Sequence, residues 1–572
     1  MIGNRSFFRR ALPALLLALA LCAAGLSIPR AAADQKEGVV RVLLTRLKLT
    51  DQIELSLDGS YSVGGIAFQR GSDVLVSSKT GQLILYYEGM ALDAGERITF
   101  SRHATGTNEE NGVRVGNELY LHPGDIVLTI RDGQLRCVLY APLEEYLLGV
   151  VPYEMSDSFP LEALKAQAVA ARTYALKKMG STQDYDVVDN TNDQAYYGVL
   201  ASNQNAARAV KETKGIAGYY KGQLAMCYYT ASNGGQVELV ENAWSAGDYG
   251  YITQHDDPYD VENAESVVKS ASIKKIVRQE TDLKGLAPLL KAGIAEQLEA
   301  LGYDGDEKNI RIDQVTGISL LDPKYGIKSK VMTKVRFALS VSGRKVLGAD
   351  AEEDITLFAA PTATPEVTAK PDPLGPLTAI DQPFYAELSY FGEVEAPLGL
   401  SINGSDNEIV TVQETETALI LSARRYGHGV GMSQRGAQTL AGAYRWTYTQ
   451  ILSFYYPGMT LKTVEYTYQM PTPLSSAFLT TPGPPATPTP RPTLMPATAA
   501  MTDGQYKVRV DGISANSSLN LREKADLTSA VLMRLYYGQE LIVLAENEGW
   551  LHVKTDAAEG YIMAQYATKI EP

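Results

Sequence analysis

Pro142-Leu143-Glu144-Glu145-Tyr146-Leu147-Leu148-Gly149-Val150-Val151-Pro152-Tyr153-Glu154-Met155 opens as a helix. Proline stands at the first position, Glu144 and Glu145 fill the first turn, and Leu143, Leu147 and Val150 fall on one face. Pro152 stops it. A second helix is expected from near Pro160 to about Lys178, with Gly180 as its terminator. Its face of Leu161, Leu164, Ala168, Ala171 and Ala175 is small enough for a close helix neighbour. Glu154 falls in the connection between the two helices, among Val150, Val151, Tyr153, Met155 and Phe159. Desolvation there would raise its pKa towards that of a general acid, although the same spacing fits an exposed loop glutamate. Asp157 reads as serving the N-terminus of the following helix before it reads as a second catalytic carboxylate. Arg172, amid Ala170, Ala171 and Thr173, fits a contact to a substrate oxygen and a surface ion pair equally well.

A second chemical segment is Tyr426-Gly427-His428-Gly429-Val430-Gly431-Met432-Ser433-Gln434-Arg435-Gly436-Ala437. Glycines around one histidine permit positive φ and let backbone approach a ligand closely. His428, Ser433, Gln434 and Arg435 offer donors at the lip of a following helix, and His428 fits a structural role as well as a catalytic one. The loop lacks the Lys-Ser/Thr ending of a phosphate-binding P-loop. Arg424 and Arg425 upstream fit an anionic polymer or a solvated basic pair.

The whole chain sets the bounds. Its 572 residues call for about three or four folded units. Lys+Arg 52 against Asp+Glu 66 gives a net charge of −14, which argues against a general nucleic-acid binder. Three cysteines, Cys22, Cys137 and Cys227, are too few for a disulfide scaffold or a Cys-rich metal module. Arg5, Arg9 and Arg10, the apolar run Ala11 to Leu26 and Ala31-Ala32-Ala33 read as an export signal over 1–33, cleaved before Asp34; an uncleaved anchor is the alternative. The remainder would work outside the cytoplasm, secreted or anchored at the cell wall, where a Cys137–Cys227 bridge stays open.

Short alternating runs (Val39–Leu44, Ile53–Leu57, Val74–Val76, Ile126–Ile130) give a β-rich part over 34–136. A mixed region follows over 137–470, with a proline-rich insertion near 361–376. Residues 471–503 form a Pro/Thr-rich extended linker. Residues 504–570 alternate in short strands and fit a small all-β barrel. The fold class expected is α+β and multidomain.

The segment Leu143 to Met155, then Leu164-Lys165-Ala166-Gln167-Ala168-Val169-Ala170-Ala171-Arg172-Thr173-Tyr174-Ala175, closely resembles the stage II sporulation protein D family (SpoIID/LytB), which includes amidase enhancers. So do Gln194-Ala195-Tyr196-Tyr197-Gly198, Ser232-Asn233-Gly234-Gly235 with Trp244, Ser342-Gly343-Arg344, the Gly-His-Gly-Val-Gly-Met-Ser-Gln segment and Tyr455-Tyr456-Pro457-Gly458, in the family's order. The resemblance implies a peptidoglycan lytic transglycosylase that cuts the MurNAc–GlcNAc bond without water and leaves a 1,6-anhydro end. It implies Glu154 as the catalytic residue and Arg172 as functionally important; His428, Ser433 and Gln434 are the further substrate contacts expected. Some members bind zinc through Cys and His, but Asp189-Asn190-Thr191-Asn192-Asp193 carries neither, and His255-Asp256-Asp257 reads as a surface turn. No metal and no cofactor are therefore expected.

The C-terminal part resembles a bacterial SH3-like domain through Ser518-Leu519-Asn520-Leu521-Arg522, Gly549-Trp550 and Gly560-Tyr561-Ile562, with Trp550 buried as core or groove floor. The partners implied are glycan strands, cell-wall peptides held by the SH3-like domain and an N-acetylmuramoyl-L-alanine amidase, with no nucleic acid. The alternative function is a non-catalytic amidase enhancer that binds the wall.

Overall fold

A computed structural model describes residues 38–466, apart from 80, 107–108, 245–246 and 348–372, then 468, and 506–570 apart from 512–517, 527–528, 530, 537, 548 and 556–557. The export signal, the linker and most of the proline-rich insertion lie outside the described residues. Pro376, at that insertion's end, sits in a strand, Leu374–Ala379. Two compact units divide the chain, the second starting at Leu479.

In the first unit, β1 (Val39–Leu43), β2 (Asp125–Arg131) and β3 (Gln134–Pro142) belong to a seven-stranded sheet. β3 pairs antiparallel with β1 at Val40↔Ala141 and with β2 at Val127↔Val138. A five-stranded sheet shares the same apolar core, where Leu55, Leu57 and Val76 meet Ile126 and Leu128. β3 runs straight into α1 (Leu143–Leu148), followed by α2 (Val151–Glu154), α3 (Leu161–Lys178) and α4 (Gln204–Glu212). From Ala163 to Ala175 every residue of α3 except Lys165 is buried. One buried face was expected; the alanines instead let neighbours close on all sides, as in a central helix. Asp157 caps a helix, but not the next one: its carboxylate accepts from the backbone N–H of Asn205 (3.3 Å) and Ala206 (2.7 Å) at the start of α4.

β4 (Tyr229–Thr230) pairs in parallel with β5 (Met432–Ser433), residues two hundred places further along the chain. Between them lies a lobe with an apolar core of its own, built on a helix, Ala287–Glu299, and a long hairpin, Ile310–Pro323 with Met332–Val346. The strands that enter and leave this lobe, Val268–Lys274 and Ala418–Arg424, pair side by side from Val268↔Arg424 to Lys274↔Ala418. The insertion therefore leaves the first core from one point and returns to it there. α5 (Gln434–Gly442) and α6 (Tyr448–Tyr455) then rejoin α3 in the first core. Cys137 and Cys227 are both buried and free, so the bridge left open above does not form. No helix among the described residues is long and apolar enough to cross a membrane.

The second unit is a seven-stranded antiparallel sheet over a core of Val508, Leu521, Leu535, Leu541, Val553 and Ile562. It is the small all-β unit expected, and among the described residues its two end strands do not pair. Trp550 is part-exposed in the strand Trp550–Lys554 and not buried, because its side chain alternates away from Leu551 and Val553.

Candidate active site

Glu154 is the last residue of α2, a single helical turn with Pro152 near its start. The connection between α1 and α3 is thus itself helical, and Pro152 opens a turn there as proline does at N-termini. The Glu154 carboxyl is half-buried. One oxygen accepts from the Ala195 backbone N–H at 2.7 Å, the other from the Gln434 side-chain amide at 3.4 Å, and the Tyr229 hydroxyl also donates to it. Burial raises the carboxyl's pKa, and these donors offset only part of that effect, so the group holds its proton to a higher pH than a free glutamate. The parallel pairing of β4 with β5 delivers both Tyr229 and Gln434 to this point.

Tyr153, next to Glu154 in the chain, begins an aromatic cluster. Tyr153 stacks on Tyr197, ring centres 4.8 Å apart, and Tyr120 meets both edge-on at 5.8 and 6.0 Å. The Arg46 guanidinium lies 3.3 Å above the Tyr197 ring and donates to the Tyr196 carbonyl at 3.2 Å. Stacked rings can hold a polar ring, and a carboxyl with a raised pKa can protonate an oxygen attached to it.

Of the site residues expected from sequence, the structure brings Glu154 and Gln434 together. It places the other three elsewhere. Arg172 is fully buried: its guanidinium makes a two-pronged pair with Glu144 (2.8 Å each) and donates to the Ile216 and Val210 carbonyls. Burial would raise the Glu144 pKa, but the Arg172 contact outweighs it and the net value falls. Arg172 holds helices together and has no reach to a ligand. Ser433 is fully buried as the N-cap of α5, accepting from Gly436 N–H at 3.0 Å and donating to Asp260 at 2.5 Å.

His428 accepts at Nδ1 from Val430 N–H (3.0 Å), and the Tyr229 backbone also bears on its ring. Burial pushes its pKa down to about 4, which keeps the imidazole neutral. Its ring packs 4.7 Å from Trp244, which is 45% exposed. The loop's glycines admit protein, not a ligand: at Gly431 (φ 74°) a Cβ would sit 2.0 Å from the Tyr228 carbonyl oxygen. Arg425 is likewise buried, paired with Glu238 at 3.2 Å, and is no surface basic residue.

His255-Asp256-Asp257 is not a surface turn throughout. Asp257 is fully buried and accepts from Tyr455 (2.8 Å), Asn233 (2.8 Å) and Asp260 N–H (3.2 Å). Burial raises its pKa to about 6. Among the described residues no group of three or more His, Cys, Asp or Glu could hold a metal ion. Cys227 faces the Met459 sulfur, and Asp193 in the 189–193 segment accepts from the Tyr174 hydroxyl (2.7 Å).

Sequence reading missed Tyr229 and the Ala195 N–H as partners of Glu154, and Gln194 as the partner of Tyr229. Gln194-Ala195 stood out only as part of a resemblance, with no chemistry attached.

Residues 131–220 match the family model for stage II sporulation protein, and residues 517–568 match the bacterial SH3 domain. The chain carries a SpoIID domain with α1, α2, α3 and Glu154 inside it, and a bacterial SH3 domain in its second unit. An amidase enhancer of Bacillus subtilis (strain 168) is 31% identical over 330 residues, covering 55% of this chain and 40% of that protein. An uncharacterized protein of Brachyspira hyodysenteriae is 29% identical over 212 residues, covering 36% of this chain and 55% of that one. Stage II sporulation protein D of Bacillus subtilis (strain 168) is 25% identical over 339 residues, 57% of this chain and 75% of that one. The chain thus spans 40% and 55% of the lengths of the first two relatives.

Proposed function

We propose that this chain is an exported peptidoglycan lytic transglycosylase acting in sporulation or cell-wall remodelling, with Glu154 as its single acid/base. The observation that carries the reading is a half-buried glutamate whose carboxyl has a raised pKa and is met by hydrogen-bond donors. The protonated carboxyl donates to the leaving GlcNAc oxygen as the bond to MurNAc C1 breaks. The resulting carboxylate then takes the proton of the MurNAc 6-hydroxyl, whose oxygen bonds to C1 and closes the 1,6-anhydro ring. No water enters and the carboxyl ends as it began. The SpoIID domain and the relatives' names support a cell-wall or sporulation role, and the bacterial SH3 domain supports binding of wall peptides.

The test is mass spectrometry of glycan strands digested by residues 34–572 and by Glu154→Gln. The expected products carry anhydro ends, lighter by one water than hydrolysed ones, and the variant is slower by about 10²–10⁴-fold. Because the first step needs the proton in place, the rate falls as pH rises through the raised Glu154 value. Hydrolysed reducing ends would sink the mechanism. A second reading, a non-catalytic amidase enhancer, is favoured by the name of the 31%-identical relative. It takes over if neither form cuts and the chain instead accelerates an N-acetylmuramoyl-L-alanine amidase.

A further inference from the structure

Glu154's surroundings share a feature that the reaction alone does not require: the contacts recorded for its carboxyl are all with donors. The Ala195 N–H can only give a hydrogen, and the Gln434 amide turns its nitrogen, the donor end, to the carboxyl. Tyr229 could in principle give or accept, and what fixes its direction is Gln194. This glutamine is fully buried. Its amide nitrogen donates to the Ala171 carbonyl (3.3 Å) and to the Tyr229 hydroxyl oxygen (3.0 Å), while its oxygen accepts from the Tyr146 hydroxyl (3.0 Å). A flipped amide would set two acceptors against each other at Ala171, because a carbonyl oxygen cannot donate. The nitrogen is therefore held towards Tyr229, the Tyr229 oxygen accepts, and its one proton is left for Glu154.

We propose that Gln194, acting through Tyr229, is a positioning residue that makes Glu154's protein contacts donor-only and so leaves the carboxyl's own proton directed at the open, substrate side. A neutral carboxyl brings one proton of its own, and each contact just named already supplies one. A Tyr229 free to accept would capture that proton and withdraw it from the sugar oxygen. The titratable side chains that bear on the carboxyl are tyrosines: Tyr229 as a donor, with Tyr146 and Tyr174 close enough to feel its charge.

The inference rests on Glu154 being the acid proposed above, so its test is read without substrate. The protonated-carboxyl C=O stretch of Glu154, assigned by subtracting the Glu154→Gln spectrum, is followed by infrared spectroscopy against pH in the full chain. Tyr229→Phe removes a donor from the carboxylate, so the midpoint rises. Gln194→Met frees Tyr229 to turn, so the midpoint rises there too, and Tyr229→Phe added to it raises it no further. If Gln194→Met does not fold, the nearly isosteric Gln194→Glu replaces it: residue 194 then accepts from Tyr229, and in that background Tyr229→Phe again adds nothing. A Gln194→Met midpoint equal to the parent's, or two shifts that add, overturns the proposal. A coupled titration in a chain that cuts no glycan would instead overturn the transglycosylase reading and leave this one standing.

Discussion

Glu154 and Asp257 are both carboxyls whose pKa burial raises, yet only one of them can meet a substrate. Glu154 is half-buried at the end of a helical turn. Asp257 is sealed, and its partners are Tyr455, Asn233 and the Asp260 backbone. A raised value in a closed site has consequences for stability instead. The folded state binds the Asp257 proton more tightly than the unfolded chain, whose value is near 3.8, so the stability it contributes is whole below that pH. It is lost as pH rises through about 6. The loss should be on the order of 2–3 kcal/mol across that window. Asp257→Asn, which cannot ionise, should be less stable than the parent at pH 4, where it offers one acceptor atom to three donors. The gap should narrow by that amount towards pH 7. Urea unfolding at each pH checks this, and a constant gap contradicts it. Burial pulls His428 the other way, to about 4, so its contribution is present above 6.5 and fades on acidification. Comparing parent with variant cancels it.

The elements behave as their local chemistry dictates, and their contacts do not. The α1–α2–α3 run was readable because proline placement, acidic first turns and apolar spacing are local signals. The place of Glu154 in that run was readable for the same reason, but its hydrogen-bond partners are not its neighbours in sequence. Arg172 was ambiguous because its partner, Glu144, sits a helix away. Ser433 looked like a free donor; a cap at a buried helix start and a hydroxyl beside a ligand have the same sequence. Ala195 and Tyr229 reach Glu154 through loop packing and strand pairing over 41 to 75 positions, for which no periodicity exists. The glycines of the His428 loop were read correctly for positive φ and wrongly for what approaches them. Gly431→Ala tests that difference. Its Cβ meets the Tyr228 carbonyl oxygen, which belongs to backbone that also pairs with Met432. Strain and overpacking together should lower stability by about 3 kcal/mol or more. Gly302→Ala, at φ 80° with nothing within 4 Å, should lose only about 1–2 kcal/mol from its left-handed backbone. Equal losses in thermal melts of the two variants would mean that the loop has room and the close approach is not real.

At the scale of the molecule, chain order and spatial order part company at the inserted lobe. Its entry and exit strands are register partners 144 to 156 positions apart, so sequence reading showed only a mixed region with a proline-rich insertion where a second core stands. The second unit poses the opposite case, since Val508, Leu521, Leu541 and Ile562 form a core from neighbouring strands, and its match was legible from end to end. That independence separates two roles. If the SH3 domain holds wall peptides, its effect on cleavage is one of local concentration, which exists only when the peptides and the scissile bond belong to one insoluble polymer. Removing residues 479–572 should therefore leave the rate on soluble, peptide-free strands within about twofold of the parent, while binding to intact sacculi and their digestion fall by about 10²-fold. Pelleting with sacculi and the two digestion rates, measured side by side, check this. Equal losses on both substrates would mean that the second unit supports the catalytic fold itself. No loss on sacculi would mean that the first unit finds the wall unaided.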